Sequence, residues 1–276
     1  MKKVTVLALV VIGVIFLSST VFAYDDLIKN DLGGVGQAGS MWGSIRMLYA
    51  SAGDMYDADG DKQSLGDDST DLRVLLKGNY GIMDNLNAFV ILPFDKWDMG
   101  DAGESGLADI WLGAKYAVLP DHLLNIRGAL DLPIGDDENG LGNAGGFGID
   151  VAASTWIRPT DKFGYRGQLG IRYNGEDGDT KWKPGLGFYL EGGAGYQISE
   201  PISLFGGLEF MTVGEGQFDG NDADDSGVNW LELKVGCNYK IKEGMGISGQ
   251  VLYTLMGKNT DAGFGIFLGL NMRISE

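Results

Sequence analysis

Leu72-Arg-Val-Leu-Leu-Lys-Gly-Asn-Tyr-Gly-Ile82 is the stretch that decides the fold. Its even positions carry Leu72, Val74, Leu76, Tyr80 and Ile82, and its odd positions include Arg73, Lys77 and Asn79. A period of two residues is typical of a β-strand with one apolar face and one polar face. The same alternation recurs in residues 124–134, 163–173 and 231–241. The sequence therefore predicts several long, two-faced strands.

A hairpin unit built from such strands repeats five times between about residue 70 and residue 257. In each unit the first run ends with an aromatic residue, and an acidic residue follows in a short turn. These pairs are Tyr80 and Asp84, Tyr116 and Asp121, Trp156 and Asp161, Tyr196 and Glu200, and Tyr239 and Glu243. One more run precedes the units (38–51) and one follows them (262–275), which gives about 12 strands.

An even number of long strands joined by alternating short and long connections is typical of outer-membrane barrels. We therefore predict an all-β fold, a closed antiparallel up-and-down transmembrane β-barrel of about 12 strands. A soluble sandwich would show the same alternation, with its apolar face packed inside. The runs of about 11–14 residues favour the barrel, because strands of soluble proteins usually have about 5–6 residues.

Connection length predicts the orientation of the barrel, because short turns lie at the periplasmic end and long loops lie outside. Short turns are expected at 83–86, 119–123, 158–162, 199–201 and 242–245, and long loops at 52–69, 96–106, 135–145, 175–184, 214–226 and 257–261. The unit-ending aromatics would form a girdle at the periplasmic side. Trp156 departs from this pattern, since alternation places it on the inner face.

The N-terminus predicts export. Lys2 and Lys3 precede an uncharged apolar run, and Val21-Phe-Ala23 resembles a signal-peptidase site. The predicted organisation is a signal peptide at 1–23, a short periplasmic segment at 24–37 and an outer-membrane β-barrel at 38–276. A retained membrane anchor is the alternative reading of the apolar run.

Charge and cysteine content exclude other classes of protein. Removal of the predicted signal peptide takes away Lys2 and Lys3 and leaves 19 basic and 38 acidic residues. This acidic excess argues against nucleic acid as a partner. Cys237 is the single cysteine, so the chain forms no internal disulfide.

Two motifs carry a family resemblance. Gly106-Leu-Ala-Asp109-Ile-Trp-Leu-Gly113-Ala-Lys115-Tyr116 is similar to a "G-x-x-D-x-x-L-G-x-K-Y" hairpin, and Leu132-Pro-Ile-Gly-Asp136 resembles the segment that follows it. Both are found in a family of outer-membrane barrels named for a meta pathway of phenol degradation. The resemblance implies a barrel that passes small, often aromatic or hydrophobic, solutes. It also implies contact with outer-membrane lipid, lipopolysaccharide and the barrel-assembly machinery, although Met272-Arg-Ile-Ser-Glu276 lacks the usual terminal aromatic.

A transport function would reside on the inner face of the barrel. The alternation of inward and outward positions along each strand (parity) assigns fifteen charged residues to this face as pore-lining candidates. The cations are Arg46, Arg73, Lys77, Lys115, Arg127, Arg166, Arg172, Lys234 and Arg273, and the acids are Asp109, Asp131, Asp150, Glu191, Glu209 and Glu232. Nine cations against six acids predict a weak preference for anions, because rings of charge set selectivity. Six inner glycines are expected to leave room for a path, at positions 113, 170, 193, 236, 265 and 269. The alternative is a filled structural barrel in which these charges pair across the lumen.

The predicted outer loops are rich in acids. Asp57, Asp59, Asp61 and Asp68 have the spacing of calcium-loop ligands, but Lys62 stands where such a loop requires Gly. Loose binding of a divalent cation near lipopolysaccharide and simple solvation of the loop are both consistent with this pattern. No other cofactor is expected.

An enzymatic role is disfavoured. A barrel hydrolase needs a base beside its nucleophile, and His122, the single histidine, falls in a predicted periplasmic turn with no serine on a neighbouring strand. The loops are of modest length and lack repeats, which disfavours an adhesin.

Overall fold

The computed structural model describes residues 35–119, 123–135, 141, 146–178 and 180–275. Within these residues the chain forms sixteen strands, and no helix there is long and apolar enough to span a bilayer. The strands are β1 Met41–Tyr56, β2 Lys62–Met83, β3 Leu86–Met99, β4 Ala102–Leu107, β5 Ile110–Ala117, β6 Asn125–Leu132, β7 Gly148–Ile157, β8 Phe163–Asn174, β9 Trp182–Lys183, β10 Gly187–Ser199, β11 Ile202–Val213, β12 Gln217–Phe218, β13 Asn221–Asp222, β14 Val228–Lys242, β15 Met245–Lys258 and β16 Thr260–Ser275.

Twelve of these strands close into an antiparallel barrel, which confirms the predicted fold class. β1 pairs on one side with β2 and on the other with β16, so the first and last strands seal the sheet. Closure through β1 and β16 lets the backbone groups of the spanning wall pair within the protein, as a bilayer requires. β4 and β5 pair with successive halves of β3 and form one strand interrupted at Ala108 and Asp109.

Two of the predicted long loops are strand instead. Residues 52–69 belong mostly to β1 and β2, which are joined by a turn at 57–61, and residues 96–106 belong mostly to β3 and β4, which are joined at Gly100 and Asp101. At the end of the last hairpin only Asn259 lies between β15 and β16. These extensions carry polar residues on both faces, so their sequence lacks the alternation that marks a strand with one apolar face.

A small sheet stands beside the barrel at the end with the longer connections. β9, from the connection between β8 and β10, pairs with β12, and β12 pairs with β13. The predicted loops at 175–184 and 214–226 therefore contain short strands that pair with each other. Residues 136–140 and 142–145 of the predicted loop at 135–145 lie outside the described residues.

The two faces of the wall differ as alternation predicts. Leu72, Leu76 and Tyr80 of β2 are exposed, whereas Arg73 and Lys77 between them are buried. Exposed apolar side chains continue around the barrel and form its lipid-facing surface. Among the predicted girdle residues, Tyr80, Tyr116, Tyr196 and Tyr239 are exposed on this surface. The Trp156 ring lies instead beneath the guanidinium of Arg158 and against Gly164, on the inner side.

Candidate functional site: the inner wall of the barrel

The interior of the barrel gathers the charged residues that parity assigned to it. Twelve of the fifteen candidates are buried, and the remaining three, Arg46, Arg166 and Arg273, are partly buried. A pore-lining role for these residues stays a prediction, because burial describes their position and leaves permeation untested. Their contacts, however, show which charges meet.

Arg127, Asp150 and Tyr189 form one such contact set between β6, β7 and β10. The Arg127 Nη2 lies 2.5 Å from Asp150 Oδ1 and donates to the Tyr189 hydroxyl at 2.7 Å. The same hydroxyl lies 3.1 Å from both carboxylate oxygens of Asp150. Arg127 and Asp150 sit on neighbouring strands one register step apart, so their pairing follows directly from the antiparallel ladder.

Arg172 of β8 forms a second set nearer the small sheet. Its Nη2 lies 3.4 Å from Asp131 Oδ2, and its Nε donates to Asn174 Oδ1 at 3.2 Å. The guanidinium carbon lies 4.7 Å from the centre of the Trp111 ring. Arginine suits such a position because its planar cation can stack on an aromatic face while its edge donates hydrogen bonds.

Lys234 lies at the centre of a third set, among three glutamates on β10, β11 and β14. Its Nζ lies 2.8 Å from Glu209, 3.7 Å from Glu232 and 3.8 Å from Glu191. Arg166 Nη2 lies 2.7 Å from the other oxygen of Glu191. Two cations thus meet three carboxylates. Opposite charges placed this close offset part of the cost of burying them.

A fourth set contains two acids that the sequence analysis missed. Arg73 Nε lies 2.6 Å from Asp95 Oδ1 and Arg73 Nη2 lies 3.8 Å from Asp71 Oδ2, with all three side chains buried. Asp261 lines a recess with Asp71 and adds a third overlooked acid. Asp71 lies one residue before the stretch 72–82 and Asp95 one residue before the predicted loop at 96–106, so alternation followed to the ends of the strands would have placed both on the inner face.

These additions correct the predicted charge balance. With Asp71, Asp95 and Asp261 added to the six predicted acids, nine acids on the described strands of the barrel match the nine predicted cations, so the excess of cations disappears. The predicted preference for anions was based on that excess. The four contact sets bring opposite charges together along the wall, within one strand or between strands one or two places apart, whereas the filled-barrel alternative was stated as pairing across the lumen.

Two of the remaining cations lie against aromatic rings. Lys77 Nζ is 4.7 Å from the Phe89 ring centre, and the Arg273 guanidinium carbon is 5.0 Å from that of Trp42. Such contacts favour a cation where water is scarce. Lys115 is buried opposite Arg127 on the neighbouring strand.

The predicted room around the inner glycines is occupied by aromatic side chains at three positions. In each case the aromatic residue stands directly opposite the glycine on the adjacent strand, and its ring lies where a Cβ would project. The pairs are Phe89 with Gly113, Tyr189 with Gly170, and Phe205 with Gly236. At Gly193, Gly265 and Gly269 side chains of Arg166, Leu252 and Ser248 take the space. The space that these six glycines were expected to leave is therefore occupied by neighbouring atoms.

Asp109 accepts hydrogen bonds from two backbone amides. Its Oδ1 accepts hydrogen bonds from the backbone amides of Ile134 at 3.0 Å and Gly135 at 2.8 Å. The carboxylate thus holds the chain as it leaves β6 against the break between β4 and β5. The contact joins the two family-like motifs, the one around Asp109 and the one around Leu132.

The four aspartates proposed as a metal site are not brought together. Asp57 Oδ1 accepts hydrogen bonds from the amides of Asp59 and Asp61, each at 2.9 Å, and Gln63 donates to its other oxygen. The amide of Asp61 holds the pKa of the Asp57 carboxyl below its ordinary range. Asp68 lies beyond the turn, in β2. The part of the chain that the structure describes contains no group of three or more potential metal ligands.

His122, considered for a hydrolase, lies outside the described residues, as do Asp121 and the chain up to residue 34. The signal peptide at 1–23 and most of the segment at 24–37 therefore stay predictions.

Comparison with known proteins then decides the family. A family model described as "Putative MetA-pathway of phenol degradation" matches residues 59–270. The chain belongs to this family. The match covers most of the barrel and includes both motifs that carried the resemblance. No curated protein matches the chain.

Solved structures share the fold of this phenol-degradation family member. An outer-membrane channel from Pseudomonas putida F1 superposes with a TM-score of 0.76 at 19% identity, over 86% of this chain and 96% of that one. The β domain of the Bordetella autotransporter BrkA gives 0.58 at 12% identity, over 86% and 100%. The NanC porin gives 0.52 at 11%, over 84% and 100%. Because the chain has this barrel fold and an apolar outer surface, we assign it to the outer membrane.

Proposed function

We propose that the protein is an outer-membrane channel for small solutes. The observation that carries the proposal is the ionisable inner wall, on which nine cations and nine acids lie inside a barrel with an apolar exterior. Buried ion pairs stabilise a protein no better than apolar side chains of the same volume. Ionisable residues at membrane depth are therefore markers of a solute pathway rather than of packing alone.

The solute class that we propose is small and aromatic or hydrophobic. The family to which the chain belongs is named for phenol degradation. Aromatic side chains, among them Tyr189, Trp111 and Phe89, are packed among the ion pairs of the inner wall. A molecule with an apolar body and a polar group fits such a wall better than a bare ion does.

A filled structural barrel is the second candidate. It is favoured by the pairing of the inner charges and by the aromatic rings over Gly113, Gly170 and Gly236. Twelve strands lie between the filled eight-stranded barrels and the open barrels of sixteen or more, so strand number alone does not decide between the candidates.

The deciding experiment is conductance of the refolded protein in a planar bilayer. A channel gives steady single-channel currents, and phenol added to one side changes their amplitude as it enters the lumen. The balanced wall predicts a reversal potential near zero in a salt gradient, because neither sign of ion is favoured. Absence of current from protein whose gel mobility shows correct folding would support the filled barrel.

The proposal extends to export and assembly. We expect cleavage of the signal peptide after Ala23, folding by the barrel-assembly machinery and contact of the outer hairpins with lipopolysaccharide. We propose no enzymatic activity for this chain and no nucleic-acid partner.

A further inference from the structure

A small recess lies in the wall of the barrel where its first and last strands meet, towards the end with the longer connections. Asp71 of β2 and Asp261 of β16 line it from either side of β1, and residues 50–52 of β1 lie between them. The recess has room for about one water molecule or one metal ion. Its lining is completed by Ser69, Gly263 and Phe264.

Asp71 brings to this recess a carboxylate oxygen that has no hydrogen-bond donor beside it. The residue is 6% exposed, and its Oδ1 is shielded from solvent with no hydrogen-bond partner among the described residues. The other oxygen lies 3.8 Å from Arg73 Nη2, which is beyond hydrogen-bond distance. A buried carboxylate oxygen without a partner costs free energy, so a cation brought to it would bind with a gain.

The charges around the recess leave a negative excess. Arg73 contacts Asp71, but it lies nearer to Asp95, at 2.6 Å. Asp261 is partly buried and forms no hydrogen bond or ion pair within the part of the chain that the structure describes. Three carboxylates and one guanidinium sum to two negative charges, which a single divalent cation would neutralise.

The backbone at the recess departs from a regular ladder. The register of β1 shifts between Ser51 and Asp54 against β16, and between Ala52 and Asp54 against β2. The extra residue of such a bulge is left out of the ladder, and bulges are common beside functional sites. On β16, Gly263 lies so close to the Ser51 carbonyl that a Cβ there would collide with it. Ser51 and Ser69 bring neutral oxygen atoms to the lining beside the two carboxylates.

We propose that this recess binds a calcium ion, held by the carboxylates of Asp71 and Asp261 and by neutral oxygens of the surrounding strands. Calcium takes about six to eight oxygen ligands in flexible geometry, whereas magnesium requires a regular octahedron and gives up its water reluctantly. Carboxylate and neutral oxygens on three strands with an irregular backbone suit calcium better. The ion links β2 and β16 across β1, whose pairing with β16 closes the barrel, and so stabilises this seam. Binding is independent of the proposed channel function.

Calorimetric titration with calcium chloride tests the site directly, on refolded protein in a nonionic detergent from which metal has been removed with EDTA. The native chain should bind a single calcium ion. Asp71→Asn and Asp261→Asn each remove a charged ligand at nearly constant side-chain volume and should weaken binding by about tenfold or more. The matched control is the double variant Asp59→Asn and Asp61→Asn, in the exposed turn at the same end of the barrel, which should keep the native affinity.

Stability gives a second readout, which a purely structural role of Asp71 would not reproduce. In EDTA, Asp71→Asn should be at least as stable to urea as the native protein, because the substitution removes repulsion between neighbouring carboxylates. Saturating calcium should raise the urea concentration at which the native protein unfolds, because the ion binds only the folded chain. The same addition should leave Asp71→Asn unchanged.

Three results would overturn the site. They are absence of calcium binding to the native protein, native affinity in Asp71→Asn or Asp261→Asn, and loss of affinity in the double variant of the turn alone, which would place the ion among the exposed acids at 57–61. Gel mobility shows whether each variant forms an intact barrel. If Asp71→Asn does not fold, Asp261→Asn decides the question, because its position is only partly buried.

Discussion

The phenol ring of Tyr189 lies across Gly170, the residue directly opposite it on the neighbouring strand β8. A Cβ at position 170 would be 2.3 Å from Tyr189 Cζ, a distance that no side chain tolerates. Position 170 must therefore be glycine for the ring to lie where it does. The hydroxyl of that ring forms hydrogen bonds with both Arg127 and Asp150. Glycine in this wall serves packing as well as curvature.

Gly170→Ala should destabilise the barrel by about 1–3 kcal/mol, because the added methyl group displaces the Tyr189 ring from a packed site. Urea unfolding followed by heat-modifiable gel mobility measures the loss. Gly128→Ala is the matched control, since nothing lies within 4 Å of a Cβ at that position. Equal stability of the two variants would show that the Tyr189 ring moves freely.

Tyr189→Ala should enlarge the lumen and raise single-channel conductance, because Tyr189 is fully buried in the interior. Tyr189→Phe keeps the ring and should leave conductance close to that of the native protein, although it loses the hydrogen bonds of the hydroxyl. Recordings in planar bilayers compare the three proteins. Unchanged conductance in Tyr189→Ala would place the path elsewhere in the barrel.

Arg127 and Asp150 should be strongly coupled. Arg127→Gln leaves a buried carboxylate without its cation, and losses from breaking buried pairs reach roughly 3–5 kcal/mol. Asp150→Asn in the same chain should restore much of that stability, since no uncompensated charge then remains. A double-mutant cycle by urea unfolding in lipid gives the coupling energy. Additive single and double effects would mean that water in the lumen already screens the pair.

Val235 tests the lipid-facing side of the wall. Its side chain is 54% exposed and lies midway along β14, so Val235→Arg puts a charge against hydrocarbon. The expected loss of stability is about 2–4 kcal/mol near the bilayer midplane. Val235→Leu, an apolar change at the same place, should unfold at nearly the native urea concentration. A tolerated arginine would mean that this face contacts something other than lipid.

The faces of the strands could be predicted from sequence because alternation is a local property. Arg73 and Lys77 are buried between exposed Leu72 and Leu76, as parity required. The partners of the inner charges could not be predicted, because they depend on register across the barrel. Asp95, for example, meets Arg73 because the two residues stand directly opposite each other in the β2–β3 register.

The sequence analysis also did not predict the pairs in which an aromatic ring covers a glycine, although the residues that form them could be read from the sequence. Phe205 and Gly236 are 31 residues apart in sequence but directly opposite in the β11–β14 pair. A glycine on an inner face means space only if the opposite residue is small. Reading the cross-strand partner together with the glycine would have predicted a filled position.

Orientation in the membrane follows from connection length and can be tested by labelling. The joins at 200–201 and 243–244 are two residues long, whereas the connections at the opposite end carry the small sheet and the extended hairpins. With Cys237→Ser as background, Glu200→Cys and Glu243→Cys should be protected from a membrane-impermeant maleimide added to whole cells. Asp59→Cys and Asp224→Cys, both exposed at the other end, should react.

Permeabilised cells are the control in which all four positions label. Labelling of Glu200→Cys but not Asp59→Cys in whole cells would mean that the barrel has the opposite orientation, with the two-residue joins outside the cell.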